Sequence, residues 1–104
     1  MDTKSESSMS GKETIEQALK ILYGDRMDAY GDPEESHERI ARYWSLWLGH
    51  YVTAHDVAIM MILFKISREQ NNHKDDNMVD VIGYASIVNE IEKGSNRKRE
   101  VFEV

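Results

Sequence analysis

The 104 residues suffice for one domain with a modest core, and 40% hydrophobic and 9% aromatic content sets the chain apart from disordered sequences. A formal charge of −6 argues against wholesale binding of nucleic-acid backbone, and no apolar run approaches the roughly 18 residues of a membrane span. Without cysteine there are no disulfides or thiolate metal sites, and the polar segment Met1–Lys12 lacks a signal-peptide core, so a cytoplasmic protein is expected.

Residues 1–12 are rich in Ser, Gly and charge and carry no period, which predicts a disordered segment. A first helix is expected over about 14–23, with Ile15, Ala18, Leu19 and Leu22 at the spacing of one apolar stripe. Gly24 follows as a left-handed stop, and residues 25–31 form a polar connection. The second helix, 33–48, has a strong start: Asp32 caps free N–H groups, Pro33 suits the first helical position, and Glu35 completes a capping-box pattern. Its expected inward stripe is His37, Ile40, Ala41, Trp44, Trp47 and Leu48, ended by Gly49.

The third helix, about 54–70, opens at Thr53 with Asp56 three residues on. Its Val57–Phe64 run is apolar all round, so this helix is the centre of the bundle or part of a subunit interface, and a homo-oligomer is expected. The fourth helix, about 76–93, carries Met78, Val81, Ile82, Ala85, Val88 and Ile91 as its core stripe and stops at Gly94. Residues 95–104 are expected to be a loose tail holding the basic cluster Arg97-Lys98-Arg99. Short connections between four helices over 13–94, with no alternating strand pattern, predict an all-α four-helix bundle.

Four polar clusters are candidates for chemistry. Around the Tyr30-Gly31-Asp32-Pro33 turn, glycine permits unusual backbone geometry and the helix start offers N–H groups to an anion, with Arg26 to assist. Asp32 competes for those same N–H groups, so the plain alternative is a structured helix cap. Glu35 and Glu38 share a helical face and can hold Mg²⁺, or they simply favour a helix's positive end. Asp76, Asp80 and Tyr84 line one stripe of the fourth helix. Asp80 stands among apolar residues and needs a cation: an ion pair with Lys65 or Arg68, or a metal. Lys65 and Arg68 can equally hold a phosphate. No zinc motif, serine elbow, P-loop or dinucleotide fingerprint occurs.

Taken together, Gly24-Asp25-Arg26, Tyr30-Gly31-Asp32-Pro33, Glu38-Arg39-Ile40, Trp44, Asp56-Val57-Ala58, Lys65, Arg68, Asp76, Val79-Asp80 and Gly83-Tyr84-Ala85 resemble a small phage and prophage family of unknown function, over roughly residues 14–93. The turn and the late aspartates are also similar to a nucleotide-modification-associated phage domain, and more remotely to the MazG-like all-α nucleoside triphosphate pyrophosphohydrolases. Those enzymes pair an E-x-x-E with an E-x-x-D on a later helix to hold Mg²⁺ against a triphosphate. Glu35 and Glu38 supply the first spacing, whereas Asp76 and Asp80 are four apart where the second requires three.

Three functional expectations follow. The resemblance implies a nucleotide-handling enzyme of the host cytoplasm, with Mg²⁺ on Glu35, Glu38, Asp76 and Asp80. Catalysis would fall to Glu35, Glu38 and Asp80, and phosphates to Lys65 and Arg68. The second expectation is a binder without catalysis that sequesters a nucleotide or inhibits a host protein, with Arg26, Tyr30, Gly31, Asp32, Lys65, Arg68 and Tyr84 as its ligand site. The third is an oligomeric interaction module whose polar clusters are structural.

Overall fold

A helix's first turn leaves backbone N–H groups without partners, and side chains that satisfy them set the helix starts here. The computed structural model describes residues 8–25 and 31–103, with side chains placed through residue 94. Helix α1 (Gly11–Lys20) begins with a reciprocal capping box. The Glu13 N–H donates to the Ser10 hydroxyl at 3.1 Å, and the Ser10 N–H donates to the Glu13 carboxylate at 2.8 Å. The helix therefore starts earlier than its apolar period predicts, and residues 10–12 lie in its cap and first turn.

Gly24 does not stop α1. The chain instead widens into a π-helical turn, Ile21–Asp25, that contains it. Among the described residues only Gly31, at φ 78°, and Gly49, at φ 66°, take the left-handed backbone that a glycine stop uses.

Helix α2 (Pro33–Leu48) has the expected cap, Asp32, with Pro33 at the first position, and ends at the left-handed Gly49, but the capping box expected with Glu35 does not form, because Asp32 bonds the Glu34 N–H instead. The Asp32 carboxylate accepts from the Glu34 N–H at 3.0 Å, and Glu35 stands exposed. Helix α3 (Ala54–Asn71) has a full capping box between Thr53 and Asp56. Helix α4 (Asp75–Glu103) continues through Gly94, contrary to the expected stop. A glycine inside a helix costs only about 1 kcal/mol relative to alanine, too little to end one that is packed on its neighbours. Gly94 is buried against the Glu34 carboxylate of α2, where a Cβ would overlap it.

Helices α3 and α4 run antiparallel, held by Lys65–Asp80, by Glu69–Asn77 and by His55–Glu92 at successive levels. The α1 segment lies along α4. The Met9 N–H donates to Asp75 at 3.0 Å at one end, and the Tyr23 hydroxyl donates to Glu90 at 2.9 Å at the other. Leu22 joins Ala58, Ile87 and Ile91 in one buried cluster, with Tyr84 and Val88 packed on it. Ala41, Val52 and Val57 form a second cluster between α2 and α3, flanked by Ile40, Trp44 and Met61. Adjacent α3 residues thus serve both clusters: Val57 and Ala58 have no exposure at all. The centre of the bundle is nevertheless α4, which packs against α1, α2 and α3, whereas α3 packs mainly on α2 and α4 and leaves Ile59, Met60, Leu63 and Phe64 open.

The predicted α2 stripe holds at His37 and Ala41, which are buried, and at Ile40 and Trp44, which pack on the core, but fails at its end, where Trp47 is 86% exposed and Leu48 is also open. The predicted α4 stripe is rotated. On α4, Ala85 is exposed while Val79, Ile87 and Ile91 are buried. Contacts with both α3 and α1 pull the buried sector round the helix. Ile15 and Leu19 of α1 are likewise open, Ala18 and Leu22 being its inward pair. The described residues contain helices and no strand, and no helix is long and apolar enough to cross a membrane.

Candidate functional site

The corner between α2 and α3 is built by short-range bonds. Gly49 turns the chain out of α2 and donates its N–H to the Ser45 carbonyl at 2.9 Å. The Ser45 hydroxyl then accepts the Val52 N–H at 2.8 Å and donates to the Val52 carbonyl at 3.2 Å, which folds the loop back on the helix. Thr53 and Asp56 exchange bonds at 3.0 Å, fixing the first turn of α3. These bonds from the Thr53 backbone and hydroxyl hold the Asp56 carboxyl below its usual range.

The same turn aims His55 at α4, where its Nδ1 lies 2.9 Å from the Glu92 carboxylate; both side chains are half-exposed. The result is an open cleft of about 670 Å³. Glu38 and Arg42 line it from α2, Tyr51 and Thr53 from the corner, His55 from α3 and Glu92 from α4, over a floor of Ala41, Val52 and Ile91. Its volume lies within the range of small-molecule sites, roughly 300–1,000 Å³. Arg42 offers a rigid fork of donors suited to phosphate or carboxylate. Tyr51, highly exposed, offers a ring face at the rim. Glu38 and Glu92 add carboxylate acceptors.

The residues singled out in the sequence do not gather at one place. Lys65 and Asp80 form an ion pair at 2.8 Å, the pairing anticipated as a structural alternative. They line a pocket of only about 130 Å³, with Leu22, Gly83, Tyr84 and Ile87, which is small for a nucleotide. Tyr84 meets the ring of buried His37 edge-on, with centroids 6.0 Å apart. Arg68 does not join Asp80. It sits over the Phe64 ring at 5.8 Å and faces a separate surface cleft with Asn71, Asn72, Lys74 and Asn77. Gly31 supplies the turn and Asp32 the cap, so the start of α2 is occupied by its own side chain. Arg26 and Tyr30 lie outside the described residues, as do the side chains of Arg97, Lys98 and Arg99.

The four acids expected to share Mg²⁺ are dispersed. Glu35 is exposed on α2, Glu38 opens on the large cleft, Asp80 lies beside Lys65, and Asp76 is exposed at the α3–α4 turn. Among the described residues no group of three or more His, Asp or Glu is placed to hold a metal ion. Glu35 and Glu38 share a broad helical face, but the line that α2 buries passes through His37 and Ala41, so only Glu38 is drawn inward. Asp76 and Asp80 share a stripe, but the Lys65 ammonium takes Asp80.

A second polar cluster sits at the α3–α4 turn. His73 pairs through Nδ1 with Glu69 and through Nε2 with Asp75 at 3.3 Å. The Glu69 carboxylate also accepts from Asn77 at 3.0 Å. Hydrogen bonding to Glu69 and then Asp75 raises the His73 pKa, and bonds from His73 and then Asn77 lower that of Glu69.

Arg42, Tyr51, His55 and Glu92 were not selected from the sequence. Glu38 and Arg42 are one turn apart, a local hint, but nothing local links them to a residue as remote as Glu92.

A family profile described as a domain of unknown function (DUF6378) matches residues 13–92. The chain is 43% identical over 77 residues to the "Gene 55 protein" of Mycobacterium phage L5, covering 72% of this chain and 49% of that protein. It is 36% identical over 78 residues to the "Gene 55 protein" of Mycobacterium phage D29, covering 74% and 52% respectively. The chain therefore spans about half the length of the curated relatives it matches. No solved structure matches it.

Proposed function

The chain belongs to the DUF6378 family, and from that premise we propose that it binds a nucleotide or similar phosphate ester in the cleft between α2, α3 and α4. One observation carries the reading: the cleft of about 670 Å³ collects Arg42, Tyr51 and His55 with Glu38 and Glu92. Arg42 takes the phosphate through paired N–H donors. His55 adds positive charge when protonated, and the exposed Tyr51 ring stacks on the base. Glu38 and Glu92 accept from sugar hydroxyls. Any Mg²⁺ would arrive with the phosphates, which hold it with few protein ligands.

A non-catalytic binder, able to sequester a nucleotide or act against a host protein, is favoured over a pyrophosphohydrolase. The dispersal of Glu35, Asp76 and Asp80 away from Glu38 supports that order. Hydrolysis of the MazG kind draws on several acids around the metal, and only Glu38 of the proposed set reaches the cleft.

The test is calorimetric titration and thermal shift with linear and cyclic nucleotides, with and without Mg²⁺. A ligand selective for the folded chain raises its melting temperature. Arg42→Ala is expected to weaken binding about tenfold or more, a loss of about 1.4 kcal/mol, with no change in fold. Lys65→Ala should leave affinity unchanged. No shift with any nucleotide at millimolar concentration, or full affinity in Arg42→Ala, overturns the reading. Release of pyrophosphate by the intact chain would move it from binder to enzyme.

A further inference from the structure

The smaller pocket, of about 130 Å³, lies where α1, α3 and α4 meet, and three separate features of the chain open onto it. The first is Gly83, which lines it from within α4. A glycine inside a helix is less stable than alanine, and nothing in the fold calls for one here. Its backbone is not left-handed, and an added Cβ would meet no atom within 4 Å. The absent side chain leaves the pocket wall bare at that point.

The second feature is the Lys65–Asp80 pair at the polar end. The Lys65 ammonium donates to one Asp80 oxygen at 2.8 Å. An ammonium carries three donors and a carboxylate two oxygens, so two donors and one oxygen remain unspent. Among the described residues no other hydrogen bond or ion pair engages these two side chains. The third feature is the π-helical turn Ile21–Asp25, whose Leu22 supplies apolar wall together with Ile87. Such turns are rare and occur mostly as single bulges, frequently at functional sites.

Size and charge narrow the ligand. A cavity of about 150 Å³ is enough to hold benzene, so this pocket takes one six-membered ring. The ion pair carries no net charge and rewards neither an anion nor a cation. It sets a donor beside an acceptor, the complement of the neighbouring C=O and N–H of a cyclic amide. We propose that the pocket binds a single-ring lactam of the pyrimidine-base kind. The ring carbonyl accepts from Lys65, the ring N–H donates to Asp80, and the ring lies against Leu22 and Ile87 in the space beside Gly83. This site is separate from the cleft between α2, α3 and α4, and the proposal does not rest on the nucleotide reading.

Uracil, thymine and cytosine, each titrated to about 10 mM into isotope-labelled chain, test it by NMR. At least one should shift the Gly83 amide and the Leu22 and Ile87 methyl signals. 1,3-Dimethyluracil keeps the ring and carbonyls of uracil but has no N–H, and it should bind at least about tenfold more weakly. Gly83→Ala should raise the melting temperature and weaken the base about tenfold or more, because its methyl group takes the ring's place. Lys65→Met should weaken the base also, and Arg42→Ala should leave it unaffected. No shift with any of the three bases, equal binding of the dimethyl compound, or full affinity in Gly83→Ala overturns the proposal. So does a lower melting temperature in Gly83→Ala, which would make the glycine structural. Shifts lost in Arg42→Ala and kept in Gly83→Ala would place the base in the larger cleft and overturn it equally.

Discussion

Removing the Asp80 carboxylate tests whether the ion pair it forms is structural. In Asp80→Ala the Lys65 ammonium, on a side chain 18% exposed and 2.8 Å from its partner, loses the only counter-ion within salt-bridge distance among the described residues. Exposed pairs contribute about 0.2–1 kcal/mol, and breaking a fully buried pair costs about 3–5 kcal/mol. With side chains 18% and 36% exposed, this pair falls between those limits, and about 2 kcal/mol is expected. Lys65→Met leaves the more solvated partner behind and should cost about 1 kcal/mol, since the methionine still fills the apolar stem's place. The double variant should cost about 1 kcal/mol in all, less than the sum of the singles, because neither orphaned charge remains. In a domain of this size, 1 kcal/mol moves the melting temperature by about 4–8 °C, so the effects are readily resolved. Urea unfolding followed by far-UV circular dichroism gives the three values. Additivity of the two single changes to within about 0.5 kcal/mol would refute the coupling. Loss of nucleotide binding by Asp80→Ala at unchanged stability would move the ligand site to the smaller pocket.

The His73 cluster predicts a pH window. His73 is raised above its ordinary 6.5, so its contribution is complete below that pH and is lost as pH rises through the folded-state value. Glu69 is lowered from 4.5, so its contribution is present above that pH and is lost as pH falls through its folded-state value. The α3–α4 turn should therefore be firmest on the acid side of neutrality, between those limits. His73→Gln should flatten the alkaline side, read by hydrogen exchange at Lys74 and Asn77. Gly94→Ala should be nearly neutral in thermal melts: a Cβ meets only the flexible end of Glu34, while helix propensity improves by about 1 kcal/mol. Combined with Glu34→Ala, which clears that space, it should raise the melting temperature over Glu34→Ala alone, and a lower value would contradict the packing.

Local signals in the sequence fared best. Asp32-Pro33, Thr53 with Asp56, and Gly49 act on backbone groups within one turn, so their roles can be read without knowing the neighbours. Gly24 and Gly94 misled because a glycine ends a helix only if its backbone turns left-handed, and neither does. The α4 stripe was displaced, with Ile87 in and Ala85 out, because periodicity gives one apolar arc while α4 is packed from two sides. The Lys65–Asp80 pair was legible, since a lysine inside an apolar run and an aspartate among buried positions each require a partner. The cleft was not. His55 and Glu92 meet only because α3 and α4 run antiparallel, and Arg42 joins them only because the corner after Gly49 returns the chain beside α2.

The two bonds between Ser45 and Val52 have a kinetic meaning. One hydroxyl both accepts from and donates to the same residue, so the corner is clasped much as a pair of neighbouring strands would be. Tyr51 is adjacent to that clasp and Thr53 follows it, so the clasp helps to hold the wall of the cleft. Under the binding role proposed above, a ligand would meet a finished surface and bear little of the ordering cost that a slack loop would impose. Its arrival should be governed by encounter and its stay by contact, with no slow closing step between. Without the Ser45 hydroxyl the same wall would have to be assembled around each incoming molecule, and a single-step association would become a two-step one.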